Sequence, residues 1–212
     1  MNARPGVLTV AQARAIDDDA RERLGMPTAL LMENAARSVA EVARSLGDRF
    51  VVLCGSGSNG GDGLAAARHL GLSRCAIYLL AAPDPARAPD AALQRAILAN
   101  AGAQISADVL PDASSHVGAV WIDAMFGTGL SRDLVGDARA WVDAFNAADG
   151  AKLSVDIPSG IHGDTGEVMG AACRADVTVT FVAPKVGMTI GQGPAHAGDV
   201  RCADIGLPSR GP

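Results

Sequence analysis

The sequence predicts a three-layer α/β/α domain: a Rossmann-like, doubly wound, mostly parallel sheet preceded by two N-terminal helices. Three observations carry that prediction. Five short runs are apolar at nearly every position, as strands buried on both faces are. Helical patterns alternate with most of those runs. The segments that follow four of the runs are rich in Gly and in side-chain oxygens, and open α/β sheets bind their ligands beyond the carboxyl ends of the strands.

Taken in order, Thr9 and Gln12 stand at capping-box spacing and open a helix over about 10–24, which Gly25 ends. A second helix covers about 28–46, with Leu31, Ala35, Val39, Val42 and Leu46 on one face and Gly47 to stop it. The strand runs are FVVLC (50–54), AIYLL (76–80), AVWID (119–123), LSVDI (153–157) and VTVTFV (177–182). Between them lie helical stretches at about 62–70, 90–101 and 136–148, the last carrying Trp141, Val142 and Phe145. PDPARAPD (83–90) reads as a Pro-rich surface loop, and the terminal LPSRGP is expected to fray. There is no internal repeat, and 212 residues fit one domain with one sizeable core.

Composition narrows the function classes. Lys plus Arg is 18 against 23 for Asp plus Glu, a net charge of −5, which lacks the surplus needed to neutralise a phosphate backbone. Nucleic acid and anionic membrane are therefore not expected partners. No apolar run approaches the ~18 residues of a membrane span, and the first residues lack the apolar core of an export signal. Cys54, Cys75, Cys173 and Cys202 are scattered without metal-ligand spacing, which reads as free, mostly buried thiols in a reducing cytoplasm.

Four strand ends are informative. GSGSNGGDG (55–63) contains GxGxxG as Gly55, Gly57 and Gly60. Glycine backbone can approach a pyrophosphate closely and present helix N-terminal amides to it, and the same residues also suit a tight turn around Asn59-Gly60. The ordinary dinucleotide fold adds an acid at the end of its second strand to hold a ribose, whereas here that strand ends Leu79, Leu80, Ala81, Ala82. Asp123 stands at the mouth of its strand ahead of AMFGTGLSRD (124–133), Asp156 and Ser159 flank Pro158 in DIPSG (156–160), and VAPKVGM follows 177–182. Singly, Asp123 and Asp156 read as cap or Asx-turn residues. Jointly, oxygen-bearing side chains at converging strand ends point to one site. Lys185 reads as a solvated loop lysine, Asp17, Asp18 and Asp19 as a solvated helix face, His69 as a helix residue and His162 as loop surface. Neither GxxxxGK[ST] nor GxSxG occurs, which argues against triphosphate hydrolysis and acyl transfer.

Together, CGSGSNGGDG (54–63), DAMFGTGL (123–130), DIPSG (156–160) and TFVAPKVGM (180–188) resemble the NAD(P)HX epimerase family, whose domain is often called YjeF-N. The resemblance extends from LLMENAA (30–36) to GDVRCADIGLP (198–208), with Ser58 in place of the first Asn of the family's CGxGNNGGDG. It implies a homodimer-prone Rossmann-like fold that interconverts the R and S epimers of hydrated NADH and NADPH, which carry a hydroxyl at carbon 6 of the nicotinamide ring. A dehydratase then restores the coenzyme. That dehydratase is fused to the domain in many bacteria, and a chain of this length reads as the epimerase alone, with a separate dehydratase as its functional partner. By similarity Ser58, Asn59, Gly60, Gly61 and Asp62, Gly127, Thr128, Gly129, Leu130, Ser131, Arg132 and Asp133, and Asp156 would bind the hydrated dinucleotide. Asn59, Asp123 and Ser159 would hold a potassium ion. Amide, carboxylate and hydroxyl oxygens suit such a hard cation. Asp156 is the candidate carboxylate for proton exchange with the C6 hydroxyl. The rival readings are a non-catalytic interaction module with the same pocket and an NAD(P)-dependent oxidoreductase.

Overall fold

The computed structural model describes residues 6–208. Of the terminal LPSRGP, residues 209–212 lie outside the described residues. Two helices come first, α1 (Val10–Glu22) and α2 (Thr28–Leu46). The Thr9 hydroxyl accepts from Gln12 N–H at 3.2 Å and the Gln12 side chain accepts from Thr9 N–H at 2.8 Å, the reciprocal box anticipated from their spacing. Then follow β1 (Phe50–Cys54), α3 (Ser58–Leu70), β2 (Cys75–Leu79), α4 (Pro89–Asn100), β3 (Ile105–Ala107), β4 (Val120–Ala124), α5 (Gly136–Ala147), β5 (Lys152–Val155), β6 (Val177–Phe181), α6 (Gly193–Ala197) and β7 (Asp199–Ala203).

All seven strands pair in parallel, in the order β3-β2-β1-β4-β5-β6-β7. The chain winds outward from β1 to β3, then returns to lay β4 on the other side of β1. That reversal opens a crevice at the carboxyl ends of β1 and β4. Those ends are level: Cys54 is in register with Leu79 on one side and Ala124 on the other. α2, α3 and α4 cover one face through Val39, Leu64 and Leu98, and α5 covers the other through Trp141, Val142 and Phe145. Burying a side chain such as Leu64 or Phe145 contributes about 1.5–3 kcal/mol.

The structure departs from the sequence reading in three places. β3 and β7 are edge strands that carry no continuous apolar run, since their outer sides meet solvent. The fourth run stops at Val155, and Asp156 leaves the strand with φ +67°. The helix expected from about residue 62 begins at Ser58, so Gly60, Gly61 and Asp62 are helical. Tertiary packing overrides glycine's poor helix propensity there. A Cβ on Gly60 would stand 1.9 Å from the Gly55 carbonyl oxygen, one on Gly61 2.4 Å from Met32 Cε, and one on Gly63 2.5 Å from Ala124 Cβ. Glycine is therefore what lets α3 lie against β1, β4 and α2.

Gly60→Ala is expected to cost about 3 kcal/mol, the upper end for overpacking, and to lower Tm by roughly 6–12 °C for a domain of this size. Gly57→Ala, whose Cβ would meet nothing within 4 Å, should stay within about 1 kcal/mol of the parent. Thermal melts of the two variants check the contrast.

Candidate active site

Each element delivers its residues to the crevice for a local reason. Gly55 N–H donates to the Ala124 carbonyl at 3.0 Å, and a Cβ on Gly55 would lie 1.9 Å from the Met125 carbonyl oxygen, so the loops after β1 and β4 meet backbone to backbone. Beyond that contact α3 begins without a side-chain cap, leaving its first-turn amides directed outward. The cleft encloses about 750 Å³ and is bounded by α1, α2, the start of α3, the 125–132 segment and the ends of β5 and β6.

Ser58, Asn59, Asp62, Gly127, Thr128, Gly129, Leu130, Ser131, Arg132 and Asp156 all line this cleft. Gly60 and Gly61 are buried packing positions beside it, and Asp133 is an exposed residue outside the lining. Asp123 and Ser159 lie fully buried beneath the floor. Asp123 accepts hydrogen bonds from Ser154 Oγ (2.9 Å), Ser159 N–H (2.8 Å), Ser159 Oγ (2.5 Å) and Met125 N–H (3.2 Å). Burial pushes its carboxyl up, and the bonds from Ser159, Met125 and Ser154 oppose that rise. Ser159 Oγ in turn accepts from Phe126 N–H at 2.8 Å, tying the β4 loop to the DIPSG turn.

Asn59 stands apart. It is 8% exposed, and neither its amide oxygen nor its amide nitrogen has a hydrogen-bond partner among the described residues. An unsatisfied buried polar group costs about 1–3 kcal/mol, and this amide keeps its hydrogen-bonding capacity free at the cleft wall. It packs against Gly127, next in chain to the Phe126 that binds Ser159. The described residues contain no cluster of three or more His, Cys, Asp or Glu suited to a metal. The amide of Asn59, the hydroxyl of Ser159 and the carboxylate of Asp123 are a different donor class, made of hard oxygen atoms.

Lys185 corrects the sequence reading most strongly. Its side chain is 4% exposed and ion-pairs with Asp156, itself 15% exposed. Lys185 Nζ also donates to Thr180 Oγ1 (3.0 Å) and the Phe181 carbonyl (3.3 Å). Lys152 and Lys185 are the only lysines in the chain, its other cationic side chains being Arg, so a lysine at a strand end was the available signal. Asp156 and Val182, which directly follow β5 and β6, both have φ +67°, a conformation unfavourable for non-glycine residues that concentrates at functional sites.

Two more acids were missed. Asp17 is exposed, as the solvated-face reading has it, and also lines the cleft from α1, and Asp90 at the start of α4 reaches the cleft while accepting from the Thr28 hydroxyl. An acid from the segment after β2 therefore does approach the site, through α4 rather than at the strand end. Asp62 is pushed well above the ordinary carboxylate range, first by burial and then by Asp156 and Asp17, with Lys185 opposing. The histidines serve structure: His69 meets Glu33 at 2.8 Å, and half-buried His162 accepts from Asp164 and Thr165 N–H through Nδ1. No disulfide forms among the described residues: Cys54 and Cys173 are buried, Cys75 half-buried and Cys202 exposed. No described helix is long and apolar enough to cross a membrane.

A crystal structure of the yeast protein ynu0 shares this fold with TM-score 0.73 at 23% identity, over 86% of this chain and 83% of that one. The NAD(P)H-hydrate epimerase of Levilactobacillus brevis is 38% identical over 206 residues, 94% of each chain. The protein of that name from Rhodopirellula baltica is 37% identical over 95% of this chain and 84% of its own. A bifunctional NAD(P)H-hydrate repair enzyme Nnr from Salinibacter ruber is 38% identical over 96% of this chain, which spans 41% of that longer protein. The family described as YjeF-related protein N-terminus matches residues 28–187, and with full-length relatives at this identity the chain belongs to that family.

Proposed function

We propose that the chain is an NAD(P)H-hydrate epimerase, an isomerase acting on the C6 hydroxyl of hydrated NADH and NADPH. The observation that carries this reading is the buried Asp156–Lys185 ion pair at the carboxyl ends of β5 and β6, opening into the same cleft as the uncapped start of α3. Helix N-terminal amides favour the pyrophosphate. The hydrated ring then lies toward Asp156, where a carboxylate can exchange a proton with the C6 oxygen and Lys185 can hold that carboxylate in place.

Ser58, Asn59, Asp62 and Gly127 to Arg132 would bind the dinucleotide. Asn59, Asp123 and Ser159 would hold potassium, which would offset phosphate charge and stiffen the glycine loop. The orphaned Asn59 amide supports a bound partner there. Homodimerisation and cooperation with a separate dehydratase belong to the same reading, as they do to the family resemblance.

Mixing the protein with chemically hydrated NADH and following the epimers by chromatography tests the activity. Equilibration of R and S forms without oxidation of intact NADH is expected. Net NADH oxidation with an unchanged epimer ratio would replace it with an oxidoreductase.

Asp156→Asn should lose about 100-fold or more in turnover while keeping the fold. Near-normal turnover would leave Asp156 a turn residue.

Lys185→Met leaves a largely buried carboxylate without its cation and should cost about 3–5 kcal/mol in denaturant titrations. Combining it with Asp156→Asn should recover part of that loss.

Melting in potassium against a large organic cation tests the ion. Wild type should melt higher in potassium and Asn59→Ala should not. Equal melting of wild type in both salts would assign the Asn59 amide to the dinucleotide alone.

A further inference from the structure

Asp17 occupies a place that its DDD sequence conceals. Leu8 N–H donates to the Pro184 carbonyl and Val186 N–H to the Leu8 carbonyl, each at 2.8 Å, so the residues ahead of α1 bridge to Lys185 in parallel. The Asp164 carboxylate accepts from Val10 N–H at 2.7 Å. These ties fix α1 along the cleft wall, where Ala13, Arg14 and Asp17 form the lining and buried Ala20 continues the inward stripe. Asp17 is thus an exposed residue of α1 whose side chain also lines the cleft. Burial first and Asp156 second push its carboxyl above the ordinary range, with Asp18 adding to the rise and Lys185 opposing it.

Epimerisation by loss and return of the C6 hydroxyl is accelerated by a proton donor on one face of the ring and an acceptor on the other. The ion-paired Asp156 supplies one carboxylate at the strand ends. Asp17 supplies another from the α1 wall, and the two interact electrostatically. On the epimerase reading, on which this rests, we propose that Asp17 is the second catalytic carboxylate, exchanging a proton with the C6 oxygen on the ring face opposite Asp156.

In one direction the C6–O bond breaks with its electron pair on oxygen, which takes the Asp17 proton and leaves as water. The N1 lone pair meanwhile forms the N1=C6 double bond of a cationic ring. Solvent water adds to C6 from the other face, the π pair returns to N1, and the proton shed by that water passes to Asp156. The reverse direction exchanges the roles, and solvent returns the proton from one carboxylate to the other.

The test uses Asp17→Asn in the full chain with chemically hydrated NADH. With Asn at 17, kcat should fall about 100-fold, while KM stays within about threefold and the melting temperature does not fall. The charged groups around Asp17 are Asp156, Asp62 and Lys185, with Arg14 and Asp18 on its own helix. Because its pKa is raised, the acid form persists above the ordinary carboxylate range, and kcat should fall as pH rises through that value. The Asn variant should lack this alkaline limb, and Asp17→Glu should restore it in part. A kcat close to wild type, a loss confined to KM, or a limb abolished by Asp62→Asn and kept by Asp17→Asn each overturns the assignment. A wild type that leaves the epimer ratio unchanged overturns the epimerase reading itself, and the role of Asp17 with it.

Discussion

The close approach of two backbones at the switch point governs the rest of the structure. Where the loops after β1 and β4 meet, Gly55 has room for a hydrogen and nothing larger against the Met125 carbonyl, and Gly60 is as tightly held against Gly55. With those contacts made, α3 can begin within four residues of β1 and aim its uncapped amides into the cleft. Asp123 locks the neighbouring strand end from beneath through Ser154, Ser159 and Met125. The polar floor is therefore rigid before any ligand arrives, because nearly every group in it already has a fixed partner. Asn59 is the exception, and that is what makes it informative.

Charge in the cleft follows a similar division. One lysine faces the carboxyl groups of Asp156, Asp62 and Asp17, the last two pushed above the ordinary carboxylate range, while the first turn of α3 favours anions. The buried pair keeps its geometry because Thr180 and the Phe181 carbonyl take the remaining ammonium protons.

What the sequence revealed depended on where each residue gets its environment. β1 and β4 are covered on both faces by local neighbours, and their apolar runs announced them. β3 and β7 exist through hydrogen bonds to a neighbouring strand, and their largely exposed side chains hid them. Asp123, Asp156 and Ser159 sit directly at strand ends, where the sheet itself determines their placement. Lys185 is buried because Leu8, at the other end of the chain, pairs beside it, and no window around APKVGM contains that information. Asp17 is exposed, as its helix pattern indicates, while its place along the cleft wall is set by neighbours from other elements.

The scarcity of lysine has a practical side. Lys152 directs its ammonium to the Ala148 carbonyl at 2.7 Å and is half-buried, while Lys185 is enclosed with Asp156. A surface whose positive charge comes from guanidinium groups offers amine-directed reagents almost no side-chain foothold. Acylation of Lys185 would therefore require its ammonium to leave Asp156, Thr180 and the Phe181 carbonyl, so its reactivity would measure how firmly that end of the cleft is held.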